Sequence, residues 1–173
     1  NVTSCLFGAI STGLISSIVF RLTKASENDN LALRVSCAIS TSLLCAFSPL
    51  MWKYNKEAEV FALHNLFVST IVYVLVLHEE TIVDRNRSNA KSIRDSNDVM
   101  MIIIGAFLCG LSMTNQHTSI LLILPVMSYV LYQSTIFRRP GLLMASAAAF
   151  LLGMSPYIAL PIMAHLYPHA GSW

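Results

Sequence analysis

The feature that most constrains this chain is a 39-residue run, Val99 to Phe137, that contains no Asp, Glu, Lys or Arg. As a helix the run would be about 58 Å long, almost twice the roughly 30 Å hydrocarbon thickness of a bilayer. The run must therefore cross a membrane twice, and the five polar residues Thr114 to Thr118 mark the turn. The arm before the turn, Val99 to Met113, would be only about 22 Å long. We therefore expect the turn at the membrane surface or slightly below it, where polar groups are costly and usually form a site.

The overall composition agrees with a membrane protein. Hydrophobic residues make up 55% of the chain, charged residues only 12%, and the mean hydropathy is +0.62, values that exclude an ordinary soluble domain. The net charge of +2 is too small, and the basic residues are too scattered, for nucleic-acid binding. We expect the lipid bilayer, and no nucleic acid, to be the partner of this chain.

Six apolar segments predict an all-α, polytopic transmembrane helical bundle of about six spans. No strand pattern competes with this prediction, and prolines inside several segments should kink the helices. The segments form one transmembrane domain over residues 1–173, which we expect to be an internal fragment because the chain starts without Met and is apolar at once. The predicted spans are approximately 2–20, 35–52, 60–77, 99–113, 119–137 and 142–164.

Basic residues orient the predicted helices. Nine of the 11 Lys and Arg residues fall in or beside the three connections that follow spans one, three and five. Since Lys and Arg collect on the cytoplasmic side of membranes, these three connections should be cytosolic. The opposite face, lumenal or external, then receives the segment Trp52–Glu59, the turn Asn115–His117 and the tail His165–Trp173.

A second polar feature stands at the start of the third predicted span. Glu59 heads this helix, where the helix dipole favours a carboxylate, and His64 and Asn65 lie about one turn deeper. Because they enter from the same face as the Asn115–His117 turn, we expect the two groups to line one water-filled pocket. Each polar side chain could equally hydrogen-bond a neighbouring helix.

Several sequence blocks carry a family resemblance that runs over essentially the whole chain. Taken in their order along the chain, these blocks resemble the transmembrane protein O-mannosyltransferases of the endoplasmic reticulum, whose animal members modify plexin-type receptor domains. The resemblance implies part of a type C glycosyltransferase fold, with the active site at the lumenal membrane surface. The blocks are Phe47-Ser48-Pro49-Leu50-Met51-Trp52, Ala58-Glu59-Val60-Phe61, Cys109-Gly110-Leu111-Ser112, Asn115-Gln116-His117-Thr118, Pro156-Tyr157, Leu160-Pro161 and Trp173.

The same resemblance implies an activity. A multi-pass enzyme of the endoplasmic reticulum membrane would move mannose from dolichyl phosphate mannose, its donor substrate, to Ser or Thr of lumenal protein domains. The implied acceptors are the IPT domains of plexins and of the hepatocyte growth factor receptor group, and no tightly bound cofactor is implied. A lipid-linked donor needs a polar pocket beside lipid, which is where the polar residues of this chain are expected.

The expected reaction is a direct displacement at the anomeric carbon, with inversion, in which a carboxylate takes the proton of the attacking hydroxyl. The resemblance places that base in a lumenal loop preceding Asn1, so the chain alone should be inactive. We assign catalytic roles to Glu59, holding sugar hydroxyls or supporting the base, and to His117, stabilising the departing phosphate. Further substrate-binding candidates, of which the aromatic ones could equally anchor the chain at the interface, are Asn115, Gln116, His64, Asn65, Tyr54, Trp52 and Trp173.

Two other classes of protein stay open. A secondary transporter would also show a polar break and proline-interrupted spans, although no convincing inverted repeat is visible. A non-catalytic assembly subunit would use the small residues around Gly110 for close helix packing. A metal site is not expected, because His64, His117 and His165 lack paired ligand spacing.

Overall fold

A computed structural model shows the fold and divides the chain into two compact units, Asn1–Met101 and Ile102–Trp173. Helices and turns without any strand make up the described part of the chain, which confirms the predicted all-α membrane fold. The structure describes residues 2–25, 30–57, 59–87, 92–134, 136 and 139–166.

Eight α-helices are present among these residues, with short 3-10 turns at Thr23–Ala25 and His117–Ser119. The helices are α1 (Val2–Leu22), α2 (Leu31–Ala46), α3 (Pro49–Glu57), α4 (Glu59–Arg87), α5 (Ser92–Asn115), α6 (Ile120–Gln133), α7 (Pro140–Gly153) and α8 (Ser155–Leu166).

Three of the described helical segments are long and apolar enough to cross a membrane, and three further apolar segments are shorter. Each of the six overlaps one of the six predicted spans, and the number of actual crossings stays a prediction. The long segments are Val2–Leu22, Val60–Val83 and Asn97–Asn115, and the short ones are Leu31–Ala46, His117–Gln133 and Pro140–Gly153.

Prolines divide two of the predicted spans instead of only kinking them. The second span is shared between α2 and α3, because Pro49 begins α3 and the residue before a proline disfavours the helical conformation. The sixth span is shared between α7 and α8, which are separated at Met154, with Pro156 in the first turn of α8. Pro125 and Pro161 lie inside α6 and α8, as expected of kinking residues.

The arm before the polar turn is longer than the charge-free run suggested. Helix α5 begins at Ser92 and continues through Arg94 and Asp98 to Asn115, a length of about 36 Å. Charged residues do not end a helix, and Asp98 is buried beside His78 of α4. The expectation of an arm too short for a full crossing is therefore wrong, and the turn stands at the end of a full-length candidate span.

In the first unit, α1 packs against α4 and α2 through small residues. Ser4, Gly8 and Ser11 are buried on α1, and their spacing of four and three residues places them on one helix face. The Ser11 hydroxyl donates to the Asn65 carbonyl of α4 at 3.1 Å, and the Ser69 hydroxyl donates to Ser11 Oγ at 3.1 Å. Small hydroxyl residues allow such close approach where lipid offers no hydrophobic driving force between helices.

Charged side chains join the other ends of the first unit's helices. Arg21 Nη1 of α1 lies 2.6 Å from Glu80 Oε2 of α4. His78 Nε2 of α4 lies 3.0 Å from Asp98 Oδ1 of α5, with the two side chains only 3% and 12% exposed. The pairs tie α1 and α5 to α4 at the end that the charge pattern assigns to the cytosol.

In the second unit, α5 and α7 meet backbone to backbone at two glycines. A Cβ atom at Gly110 of α5 would overlap the carbonyl oxygen of Phe150, and a Cβ atom at Gly153 of α7 would overlap the carbonyl oxygen of Phe107. Only glycine fits at these two crossing points. The contact fixes the end of α7, and therefore the start of α8, beside the last turns of α5.

Candidate functional site

The polar turn between α5 and α6 has a defined hydrogen-bonded structure. Gln116 is extended, with φ −152° and ψ 124°, and therefore ends α5 at Asn115. Ser112 Oγ donates to Ser119 Oγ at 2.9 Å, and Ser119 Oγ donates to the Ser112 carbonyl at 3.2 Å, both buried. These two hydroxyls connect the two ends of the turn through buried hydrogen bonds. His117, which lies between them in the sequence, is exposed.

Tyr157 of α8 holds the exposed His117 ring. The two rings stack with centroids 5.6 Å apart and an interplanar angle of 5°, and the phenol oxygen lies 2.6 Å from His117 Nδ1. The same hydroxyl donates to the Met113 carbonyl at 3.1 Å. The phenol oxygen lies 3.2 Å from His117 Nε2 as well, so both ring nitrogens are within hydrogen-bond reach of Tyr157. The stacking and these contacts together fix the orientation of the imidazole.

Tyr157 is absent from the site residues predicted from sequence. The available sequence signal for Tyr157 was the Pro156-Tyr157 block, which contributed to the family resemblance. A tyrosine 40 positions from its histidine has no spacing relation to it, so only packing of α8 against the turn reveals the pair.

Gln116 contributes a second polar group to the turn. Its Oε1 atom is buried and has no hydrogen-bond partner among the described residues. A buried amide oxygen without a partner is costly, and in native proteins such atoms usually meet a water or a ligand. The neighbouring predicted residue, Asn115, is half-buried at the end of α5. The turn thus groups three predicted residues, Asn115, Gln116 and His117.

In the first unit, Trp52 lies beside a cavity of about 400 Å³ between α1, α2 and α3. The indole is 53% exposed, and its Nε1–H donates to the Ala46 carbonyl at the end of α2. The cavity wall is mainly apolar and small, and it is made by Cys5, Gly8, Ala9, Thr12, Cys45, Ala46, Met51 and Trp52. The cavity opens at the end of the unit that we predict to be lumenal.

Asn65 and His64 sit deeper on α4. The Asn65 amide Nδ2 lies 3.7 Å from Met51 Sδ of α3, and the backbone carbonyl of Asn65 accepts the Ser11 hydroxyl. Asn65 therefore joins α1, α3 and α4, as the helix-packing alternative expected. Through Met51 it also supports one wall of the Trp52 cavity. His64 is half-buried on the same helix.

The side chains of three predicted site residues lie outside the part of the chain that the structure describes. Glu59 is the first residue of α4, as the sequence predicted, and Tyr54 lies on α3, but their side chains are outside the described part. Trp173 lies outside the described residues. Glu59 and His117 belong to different units, so their convergence in one pocket stays a prediction.

Comparison with known proteins adds independent information. Residues 1–139 match a family model described as "Protein O-mannosyl-transferase TMEM260 N-terminal domain". The Mus musculus protein named "Protein O-mannosyl-transferase TMEM260" is 33% identical over 175 residues, which cover 100% of this chain and 22% of the mouse protein. The Dictyostelium discoideum protein of the same name is 28% identical over 139 residues, covering 79% of this chain and 17% of that protein. The chain thus spans about a fifth of the length of these relatives. No solved structure matches the chain.

Proposed function

This chain belongs to the TMEM260 N-terminal-domain family of protein O-mannosyl-transferases, and on that premise we propose that it forms the membrane part of a mannosyltransferase acting on lumenal proteins. Membership confirms the family that the sequence blocks predicted. In the proposed reaction, dolichyl phosphate mannose is the donor, the endoplasmic reticulum membrane is the location, and Ser or Thr of IPT-type domains is the acceptor.

The observation that carries this proposal is the His117–Tyr157 pair on the polar turn. The His117 ring stacks on Tyr157, with its two nitrogens 2.6 Å and 3.2 Å from the phenol oxygen, so the exposed imidazole is held in a fixed orientation. When protonated, the ring donates one N–H to Tyr157 and the other to an oxygen of the donor phosphate. Charge that develops on the departing phosphate is then stabilised by a donor that needs no reorganisation.

Gln116 and Asn115 extend this surface. The Oε1 atom of Gln116 is a buried acceptor that has no partner within the described part of the chain, and a sugar hydroxyl is the kind of donor that satisfies it. An acceptor amide beside a donor imidazole suits a ligand that carries both hydroxyls and a phosphate. A glycosyl phosphate is such a ligand.

The Trp52 cavity supports the lipid-linked nature of the donor. Its walls are mainly small and apolar, which suits an isoprenoid chain, and its exposed indole suits either a sugar face or the membrane interface. The first unit therefore offers the lipid-linked donor an apolar groove of its own.

In the proposed chemistry, the acceptor hydroxyl oxygen forms a bond to the anomeric carbon as the bond from that carbon to the phosphate oxygen breaks. A carboxylate takes the hydroxyl proton, and the phosphate leaves on its lipid. Glu59, at the favourable positive end of α4, would hold sugar hydroxyls or support that base. The base itself is expected in a lumenal loop preceding Asn1.

The test is transfer of radiolabelled mannose from dolichyl phosphate mannose to an IPT domain by the full-length protein in membranes. We expect His117→Ala to lower the rate on the order of a hundredfold, the usual effect of removing one donor to a developing oxyanion, and Glu59→Gln to lower it as well. His165→Ala is the matched control, since His165 is an exposed histidine of the same unit on α8.

Each possible result decides between the functions considered. No transfer by the wild-type protein would refute the mannosyltransferase proposal. Full transfer by both variants would remove Glu59 and His117 from the site and favour a non-catalytic role for this part of the protein.

A further inference from the structure

Two free thiols line the Trp52 cavity. Cys5 of α1 and Cys45 of α2 are both part of its wall. Cys5 is exposed and Cys45 is half-buried, and neither forms a disulfide. The proposed donor groove uses the space of this cavity and leaves the chemistry of its thiols unassigned.

Helix packing brings the two thiols to the same cavity. The consecutive helices α1 and α2 pack against each other, and Ser16 Oγ donates to the Ala38 carbonyl at 3.2 Å. Ala38 and Cys45 are two helical turns apart, so they share the face of α2 that packs against α1. Cys5 and Ala9 are one turn apart on α1, and both line the cavity. The two thiols therefore reach one cavity from facing helices.

The rest of the wall favours an apolar ligand. No charged side chain is among the described residues that line the cavity. The Thr12 hydroxyl is occupied, since it donates to the Gly8 carbonyl at 2.9 Å. Small residues at Gly8, Ala9 and Ala46 leave space, and Met51 adds a polarizable apolar surface. A ligand that fits this wall is apolar, and the thiols are the groups through which it can react.

From these observations we propose that the cavity is a site of covalent modification by apolar α,β-unsaturated aldehydes, with Cys5 and Cys45 as the nucleophiles. Oxidation of unsaturated acyl chains produces such aldehydes in membranes. The thiolate sulfur forms a bond to the β-carbon of the aldehyde, and the electron pair of the carbon–carbon double bond moves to the α-carbon. The α-carbon then takes up the proton that the thiol released. The product is a thioether, and the reaction needs no oxidant or reductant.

The other cysteines of the chain provide an internal comparison. The thiolate is the reactive form of cysteine, so reactivity follows access to water. Cys5 is exposed near the start of α1, and Cys45 shares its cavity. Cys37 is half-buried on α2 outside the cavity wall, and Cys109 is buried. We therefore expect Cys5 to react first, Cys45 next, and the other two cysteines more slowly.

Adduct mapping by mass spectrometry, on the full-length protein in lipid nanodiscs treated with trans-2-nonenal, tests the proposal. We expect adducts at Cys5 and Cys45 to form about tenfold faster than at Cys37, because the cavity opens toward water and allows thiolate formation. Ala9→Leu places a larger side chain in the cavity and should slow the reaction of Cys45 severalfold. Ala32→Leu is the matched control, because Ala32 is an exposed alanine of α2 outside the cavity wall, and it should leave the rate unchanged.

Acrolein, the same electrophile without an alkyl tail, separates a cavity site from simple exposure of a thiol. Its rate at Cys45 should change little in Ala9→Leu, because acrolein needs no room for a tail. The proposal is overturned by equal adduct rates at Cys45 and Cys37 in the wild-type protein. It is also overturned if Cys45 of the Ala9→Leu protein reacts with trans-2-nonenal as fast as Cys45 of wild type.

The effect of the adducts on mannosyl transfer rests on the proposed function. An alkylated cavity would exclude the isoprenoid chain of the donor, so trans-2-nonenal should lower transfer by the wild-type protein. The double variant Cys5→Ser with Cys45→Ser should lose much less of its own untreated rate. Adducts at both cysteines with transfer unchanged would support the modification site and refute the cavity as the donor groove.

Discussion

Replacement of Gly110 by Ala should destabilise the second unit. Alanine gains about 1 kcal/mol over glycine from helix propensity, but here its Cβ would overlap the Phe150 carbonyl oxygen and approach Gly153 Cα to 3.2 Å. Both obstacles are backbone atoms, which cannot rotate away, so α5 and α7 must separate. Overpacking costs about 1–3 kcal/mol, and loss of the close backbone contact places this case at the upper end. We expect a net loss of about 2 kcal/mol.

The assay is reversible unfolding in mixed micelles titrated with SDS, followed by circular dichroism. Gly13→Ala is the control, because a Cβ at Gly13 of α1 meets nothing within 4 Å and the variant should gain up to about 1 kcal/mol. Separation of α5 and α7 should also displace Tyr157 from His117, so mannosyl transfer should fall for Gly110→Ala alone. A Gly110→Ala protein as stable as Gly13→Ala would refute the proposed backbone contact.

Three further predictions concern single side chains. Tyr157→Phe should lower mannosyl transfer about tenfold, because it releases His117. The free energy of unfolding should change little, since an exposed hydrogen bond contributes only about 1 kcal/mol. A transfer rate equal to that of wild type would show that His117 needs no such support. Asp98→Ala should cost about 1–3 kcal/mol of stability, because it removes the polar neighbour that lies 3.0 Å from the buried His78 ring. SDS unfolding measures this loss, and stability equal to that of wild type would contradict the contact. Asn30→Ala should cost about 1 kcal/mol, because Asn30 Oδ1 accepts from two backbone N–H groups at the start of α2; the same titration should show less loss for Asn30→Gly, and equal losses would argue against capping.

Much of the site's local structure could be predicted from the sequence. The charge-free run with a polar centre required a turn, and that turn is found at Gln116 between α5 and α6. Glu59 was expected at the head of a helix and is the first residue of α4. These features depend on neighbours in the chain, where hydropathy, dipole and turn chemistry act directly.

Prolines and helix ends were harder to predict. Pro49 ends one helix and begins the next, whereas Pro125 lies inside α6. A proline removes one hydrogen bond in either case, and neighbouring helices decide whether the chain continues. Likewise, α5 begins at Ser92, because the absence of charge defines the apolar part of a helix and not its full length.

By itself, the sequence determined the membrane class, the helical content and the polar turn, since each follows from composition or from residues adjacent in the chain. The family was indicated separately, by the resemblance of several sequence blocks. Only the tertiary structure decided that Tyr157 orients His117, that Gly110 and Gly153 bring two backbones together, and that Cys5 and Cys45 share a cavity. These groups are far apart in sequence, and their contacts arise from how helices pack. Helix packing depends on the shapes of whole helix faces, which a local sequence pattern does not predict.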